Sequence, residues 1–442
     1  MVRRREGYAV AIDLVAKLKR VWDMGHSWIT KETILLFGIA IGVRAVVSLV
    51  QVLYGVHGIP GFAFSAWNDF YSGYVQWLGY VREGLLPYRD FYTYKYTPLF
   101  LYTLYPFFVA AGAKAASIPI VVSDAATAVL IYLIAKRFAG NRIGLAAGLL
   151  YAFAPFVLYY EDYLWLSSQP MTFFLILAVY LLKENRPVFS FASFAVSVMF
   201  KQEALFIMPA YFLLYFKEYK AIIPKGIGIF VAVVVIVSLP FLIAAPRDYI
   251  IALNYLPINL GAPQPNLPIA SGIVSAATPE PNVLGTCGIS SLPGLYTGTV
   301  CGTIVNLKEF ASSLLMGRLN QIGFFLEPLL LALLAPALYS IRRSQNFLQI
   351  LCIYSLLVFL VLFSDFEEAS LAYYFVPVYA MIFASIVDKR TLLLGVATAL
   401  LSVTVPEGPF QIILPLGYLF LMVLLQDLSR SARESASNQV IM

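Results

Sequence analysis

Charged side chains are scarce in this sequence, since Asp, Glu, Lys and Arg make up 12% of its 442 residues. Soluble globular domains average about a quarter. Hydrophobic residues instead reach 60% of the chain, in successive apolar runs of about 15 to 22 residues that short basic loops separate. This pattern excludes an ordinary soluble domain. It predicts an all-α fold, a polytopic membrane helical bundle of about twelve transmembrane helices.

Cysteine and histidine are also few. Three cysteines are too few for a disulfide-rich scaffold or a zinc site, and two histidines are too few for a histidine metal cluster or a His-based triad. The formal net charge of +6 follows from basic loops on one side of a membrane. We therefore predict contact with membrane lipids, no nucleic-acid partner and no cofactor.

The basic loops determine the predicted topology, because Lys and Arg concentrate on the cytoplasmic side of a membrane. If the apolar run 97–112 crossed the membrane, every later basic loop would lie on the outer side. We therefore predict a partial, re-entrant or interfacial helix there. Both termini are then cytoplasmic. The predicted spans are 33–54, 117–135, 143–160, 169–182, 187–200, 203–216, 226–245, 322–340, 347–363, 372–387, 391–405 and 409–425.

These spans divide the chain into five predicted parts. Residues 1–32 form a cytoplasmic amphipathic segment, and 33–245 form a module of about seven spans whose first outer loop, 55–116, carries amphipathic juxtamembrane helices. A long outer loop follows at 246–321 and is predicted to be a folded lid. The last two parts are a module of about five spans at 322–426 and a cytoplasmic tail at 427–442.

The long outer loop contains Cys287 and Cys301. On the outer face these two cysteines could form a disulfide, or both could be free thiols. The sequence leaves the two possibilities open.

The first outer loop concentrates ionisable side chains in an otherwise apolar protein. Asp69 follows the first span, and a carboxylate there could take a proton from an attacking hydroxyl or simply cap the following helix. Lys95 lies among tyrosines, where its charge could bind a phosphate or extend to the lipid headgroups. Each residue alone has an ordinary structural explanation. The presence of both in one loop is what indicates a functional site.

Together these residues carry a family resemblance. An acidic residue after the first span, then G-x-x-P-Y and a basic-Tyr-Thr-Pro-Leu run, resembles the GT-C superfamily, and in particular the first mannosyltransferase of GPI-anchor assembly and its prokaryotic relatives. The resemblance implies polyprenyl-phosphate sugars as donors. Asn68 precedes Asp69, so a metal-binding D-x-D is missing and a divalent metal is not supported. The matching residues are Asp69, Gly84, Pro87, Tyr88, Lys95, Tyr96, Thr97, Pro98 and Leu99.

The resemblance also implies roles for individual residues. Asp69 would be the catalytic carboxylate and Lys95 a contact to the donor phosphate. Lys201 could be a second phosphate contact, or form an ion pair with Glu203 or Asp162. Arg318 is a further candidate for the phosphate. The remaining candidates for substrate binding are Tyr88, Tyr96, Glu161, Asp162, Gln202, Glu368 and Tyr374, although Tyr374 also suits an interfacial aromatic belt.

One further charge pair is predicted to be structural. Arg44 lies inside the first span and Asp124 inside the second. Charges at that depth are costly unless they are paired. We expect these two side chains to neutralise one another in the bundle interior.

The expected function is a membrane glycosyltransferase. It would move a hexose, with mannose implied by the resemblance, from a polyprenyl-phosphate donor to an acceptor hydroxyl of a lipid, glycan or protein. Transfer would occur on the extracytoplasmic face with inversion. The alternative is a multi-pass transporter or lipid flippase, which should place its site near the midplane and often shows an internal repeat. No repeat is evident, and the polar residues cluster in predicted outer loops.

Overall fold

A computed structural model describes the positions of residues 29–54, 69–91, 94, 96–208, 211, 219–253 and 375–404. All regular elements in these ranges are helical, and they include no strand. The predicted all-α class is confirmed in this part of the chain. The predicted spans 322–340, 347–363 and 409–425 lie outside the described residues.

The helices are numbered here in chain order. The π-helical segments are π1 (Phe70–Tyr74) and π2 (Leu158–Tyr163), and 3₁₀ turns cover Ala113–Ser117, Gln202–Ile207 and Lys220–Ile222. The α-helices are α1 (Lys31–Tyr54), α2 (Val75–Arg82), α3 (Pro98–Ala111), α4 (Ile118–Ala139), α5 (Asn141–Ala152), α6 (Ser168–Lys183), α7 (Pro187–Phe200), α8 (Ile223–Ala244), α9 (Pro246–Leu253), α10 (Val376–Ala384) and α11 (Lys389–Thr404).

Four helical stretches are long and apolar enough to cross a membrane. They match the predicted spans 33–54, 117–135, 143–160 and 226–245, which supports an integral membrane protein. These stretches are Lys31–Leu53, Ala113–Ala139, Asn141–Tyr163 and Lys220–Ala244.

Helix α3 covers most of the apolar run 97–112, which we predict not to cross the membrane. Pro98 begins it, as suits a residue with a fixed backbone φ and no N–H to satisfy. Gly112, with φ of 82°, ends it. At about 1.5 Å per residue its 14 residues extend about 21 Å, less than the roughly 30 Å of a bilayer core. Helix α7, in a predicted span, has the same 14 residues, so it is the charge of the later loops that favours an interfacial α3.

Helix α4 lies at the centre of the described bundle and packs against α1, α5, α6 and α10. In the membrane-length stretch that contains α4, 67% of an 18-residue apolar segment is buried, whereas in the stretch that contains α8 the buried share is 11%. Helix α8 therefore presents most of its apolar surface outward, as expected of a helix that faces lipid. All nine residues of α10 are buried.

The structure refines two sequence expectations. Residues 161–169, where one predicted span gives way to the next, begin inside π2, lead into α6 and are buried throughout. The predicted span 203–216 begins instead with the 3₁₀ turn Gln202–Ile207. In both places the polar side chains fold inward against neighbouring helices, which the apolar periodicity of a single segment cannot indicate.

Candidate active site

The two π-helical segments contain or adjoin the predicted acidic residues. Asp69 immediately precedes π1, and π2 contains Glu161 and Asp162. The segments meet through Trp165, whose ring centroid is 5.0 Å from that of Phe70. A π-helix widens the α-helical turn by one residue and occurs frequently at functional sites. The fold therefore brings two distant acidic stretches to one place.

Asp69 is half-buried at the start of π1, and its side chain makes no capping hydrogen bond to that helix. The geometry thus does not match the capping explanation. Its carboxylate acts on the pKa of both Tyr74 and Lys201, so it lies near both side chains. Asp69 therefore shares a site with a cation from a distant part of the sequence.

Lys201 is fully buried where α7 ends. Its Nζ lies 3.5 Å from Glu203 Oε1 and 5.3 Å from the ring centroid of Tyr96, a cation–π distance. Burial lowers the pKa of Lys201, and the carboxylates of Glu203, Glu161 and Asp69 oppose this shift. Of the two ion pairs that the sequence suggested, the structure shows the one with Glu203. Gln202, between them, is also buried.

Three hydrogen bonds position Tyr96 beside Lys201. Tyr88 donates its hydroxyl to the backbone oxygen of Tyr96 at 2.6 Å, and Tyr94 donates to that of Thr97 at 2.7 Å. Thr97 Oγ1 donates to the backbone oxygen of Val198 at 3.0 Å, which joins this turn to the end of α7. Tyr88 is fully buried, and its hydroxyl bonds to the loop while its ring packs against Phe241 and Tyr249.

Asp162 takes part in a buried ionic cluster. Arg44 Nε lies 2.5 Å from Asp124 Oδ2 and 3.6 Å from Asp162 Oδ2. Asp124 Oδ1 also accepts a hydrogen bond from the Tyr151 hydroxyl at 2.6 Å. The predicted Arg44–Asp124 pair is confirmed, and Asp162 is a second carboxylate near the same guanidinium.

Glu161 has a different environment from Asp162. It is fully buried, and its charge acts on Lys201. Neither of its carboxylate oxygens receives a well-formed hydrogen bond from a described residue. Glu161 is therefore a buried carboxylate that lies close to the backbone N–H of Gln169 and within electrostatic range of Lys201.

Several predicted positions lie outside the described residues. Among the described residues, no three His, Cys, Asp or Glu side chains converge as metal ligands, and the expected lack of a metal remains a prediction. The predicted site residues that the structure does not describe are Lys95, Arg318, Glu368 and Tyr374, and Cys287 and Cys301 are likewise outside it.

Sequence reasoning missed two polar residues of this site, Tyr74 and Ser167. Tyr74 is one of many aromatic residues in the first outer loop, so nothing distinguished it. Ser167 opens the run Ser-Ser-Gln after an apolar stretch. A polar run next to an acidic pair was a usable signal, because all of these side chains prove to be buried.

Residues 97–243 match the family model described as dolichyl-phosphate-mannose-protein mannosyltransferase. This stretch begins at the Thr-Pro-Leu run and includes π2, α6, α7 and Lys201. The match confirms the resemblance to the GT-C superfamily and the enzyme class, glycosyltransferase. No curated protein matches the chain significantly.

Proposed function

We propose that this membrane glycosyltransferase moves a mannosyl group from a polyprenyl-phosphate donor to an acceptor hydroxyl on the extracytoplasmic face, with inversion. One observation carries the proposal. The fold places the carboxylate of Asp69 near the buried cation of Lys201, within a chain that matches a mannosyltransferase family. A base and a phosphate contact side by side are what transfer from a sugar phosphate to a hydroxyl requires.

The proposed roles follow from charge. Asp69 takes the proton of the acceptor hydroxyl as that oxygen attacks the anomeric carbon. The bond from the anomeric carbon to the phosphate oxygen breaks, and Lys201 stabilises the negative charge that develops on the phosphate. Lys95 and Arg318 are further candidates for that contact. Attack from the side opposite the leaving phosphate inverts the anomeric configuration.

Asp69→Asn provides the first test. The change removes the base without altering the size of the side chain, so kcat should fall about 10²- to 10⁴-fold while the protein stays folded. Purified protein would be incubated with labelled polyprenyl-phosphate mannose or glucose and a panel of acceptors: serine- and threonine-containing peptides, glycans and glycolipids. Reactions with and without a chelator would test the expected independence from metal.

Glu83→Gln is the matched control, because Glu83 is an exposed carboxylate in the same loop and should be dispensable. Full transfer by Asp69→Asn would refute the assignment of the base. No transfer by the wild-type protein with any donor would refute the proposed reaction itself.

A further inference from the structure

Tyr74 and Ser167 bury two hydroxyl groups that lie close to each other. Their exposed fractions are 0% and 1%, and neither oxygen makes a well-formed hydrogen bond with a described residue. The great majority of buried polar groups in folded proteins have a partner, and an exception often indicates a ligand or a water molecule that supplies it. Two such hydroxyls in one site therefore need an explanation.

Tyr74 lies between the two ends of the proposed site, and Ser167 is its neighbour. Tyr74 is at the end of π1, and its hydroxyl lies near Asp69 and close to the hydroxyls of Ser167 and Tyr96, although it forms no well-formed hydrogen bond with either hydroxyl. The ring of Tyr74 packs against that of Tyr96 at a centroid distance of 6.0 Å. Tyr96 in turn lies beneath Lys201. Tyr74 thus lies between Asp69, the proposed base, and Lys201, the proposed phosphate contact.

The position of these hydroxyls suits the sugar ring of the donor. In the proposed reaction the anomeric carbon is bonded to the phosphate on one side and attacked by the acceptor on the other. The remaining ring hydroxyls must then face groups that lie between Asp69 and Lys201. A tyrosine or serine hydroxyl can both donate to and accept from a sugar hydroxyl, and the buried carboxylate of Glu161 adds an acceptor.

We propose that Tyr74 and Ser167 hydrogen-bond hydroxyl groups of the transferred hexose and so determine which sugar the enzyme accepts. This inference rests on the proposed function and extends it to sugar specificity. A site with buried polar groups discriminates strongly against a substrate that lacks the matching hydroxyl, because those groups then remain unpaired.

The test uses Tyr74→Phe and Ser167→Ala, each of which removes one oxygen. Since neither hydroxyl makes a well-formed hydrogen bond within the described fold, Tm should stay at the wild-type value. The kcat/KM for polyprenyl-phosphate mannose should fall about 2- to 12-fold for each variant, the effect of one neutral hydrogen bond. Donors with a single deoxy position then identify the contact. For one of these donors, wild type and Tyr74→Phe should be equally slow, since the contact is already lost.

Tyr94→Phe is the matched control. Tyr94 is also a fully buried tyrosine of this aromatic cluster, but its hydroxyl donates to the backbone oxygen of Thr97. Its loss should lower Tm and slow transfer by a similar factor for every deoxy donor.

Two results would overturn the inference while the proposed function stands. One is wild-type kcat/KM in both Tyr74→Phe and Ser167→Ala, which would mean that water satisfies these hydroxyls. The other is a loss of the same size with every deoxy donor, which would mean a structural role only. If the wild-type protein transfers no hexose at all, the proposed function fails first and the inference fails with it.

Discussion

At the scale of single residues, the site depends on charged side chains that are buried, which is unusual for such groups. Lys201 is fully buried yet faces Glu203, Glu161 and Asp69. A lysine at this depth is costly unless it is paired or serves a function. A cation next to several carboxylates is suited to bind a phosphate only if it keeps its proton at the working pH, and this condition can be measured.

Transfer should therefore decline at alkaline pH as Lys201 loses its proton. Because burial lowers the pKa of Lys201, the decline should begin below the ordinary lysine value of about 10.4. Lys201→Arg keeps the charge, since an arginine side chain is not deprotonated in proteins, and should remove this decline. The measurement is the pH profile of kcat/KM, with Tm recorded for both proteins. Identical alkaline profiles would show that the decline does not come from deprotonation of Lys201.

At the scale of elements, hydrogen bonds between helices set the position of the site. Three serines of α7 donate to backbone oxygens of α6: Ser190 to Ala178, Ser193 to Phe174 and Ser197 to Met171. Bonds of this kind join helices where apolar packing alone gives little preference. They hold α7 against α6 and so help to place Lys201, which follows α7, relative to π2.

A hydrogen bond from Thr97 joins the first outer loop to the end of α7. Thr97→Val keeps the shape of the side chain but removes the hydrogen bond to the backbone oxygen of Val198. The free energy of unfolding should fall by about 0.5–1.5 kcal/mol. The transfer rate should fall by a larger factor than this loss of stability accounts for, because Tyr96 is no longer held beside Lys201. Tm and kcat/KM are the measurements.

Thr127→Val is the control for this variant, since Thr127 is a buried threonine whose hydroxyl donates within α4 to the backbone oxygen of Ser123. It should lose comparable stability and keep its transfer rate. Equal transfer rates in the two variants would contradict a positioning role for Thr97.

At the scale of the whole molecule, the placement of the site depends on whether α3 crosses the membrane. The charge of the later loops favours an interfacial helix. Exposed charged residues lie before α3, just after it and at the end of α4, at Glu83, Lys114 and Arg137. These three positions allow the topology to be measured directly.

Single cysteines at these three positions, in a chain whose native cysteines are replaced, should react differently with an impermeant maleimide added to intact cells. We expect labelling at Glu83→Cys and Lys114→Cys, and labelling at Arg137→Cys only after the membrane is permeabilised. Labelling of Glu83→Cys and Lys114→Cys from opposite sides would mean that α3 crosses. That outcome would invert the predicted orientation of every later loop.

The sequence by itself determined the features that depend on local composition. Long apolar runs predicted the membrane helices, because a bilayer core requires about twenty apolar residues in each. Charges inside apolar runs predicted the Arg44–Asp124 pair, because an unpaired charge there is too costly. The unusual charge content of the first outer loop was enough to single out Asp69 as a candidate.

Only the tertiary structure decided which of these residues meet. Asp69 and Lys201 are far apart in the sequence, and their proximity depends on π1, π2 and the packing of α6 against α7. Helices that are apolar on all sides carry no stripe that predicts their neighbours. The extra residue of a π-turn also leaves no pattern that a period of 3.6 would reveal. Tyr74 is likewise recognisable only in the folded chain, where its hydroxyl is buried without a well-formed hydrogen bond to a described residue.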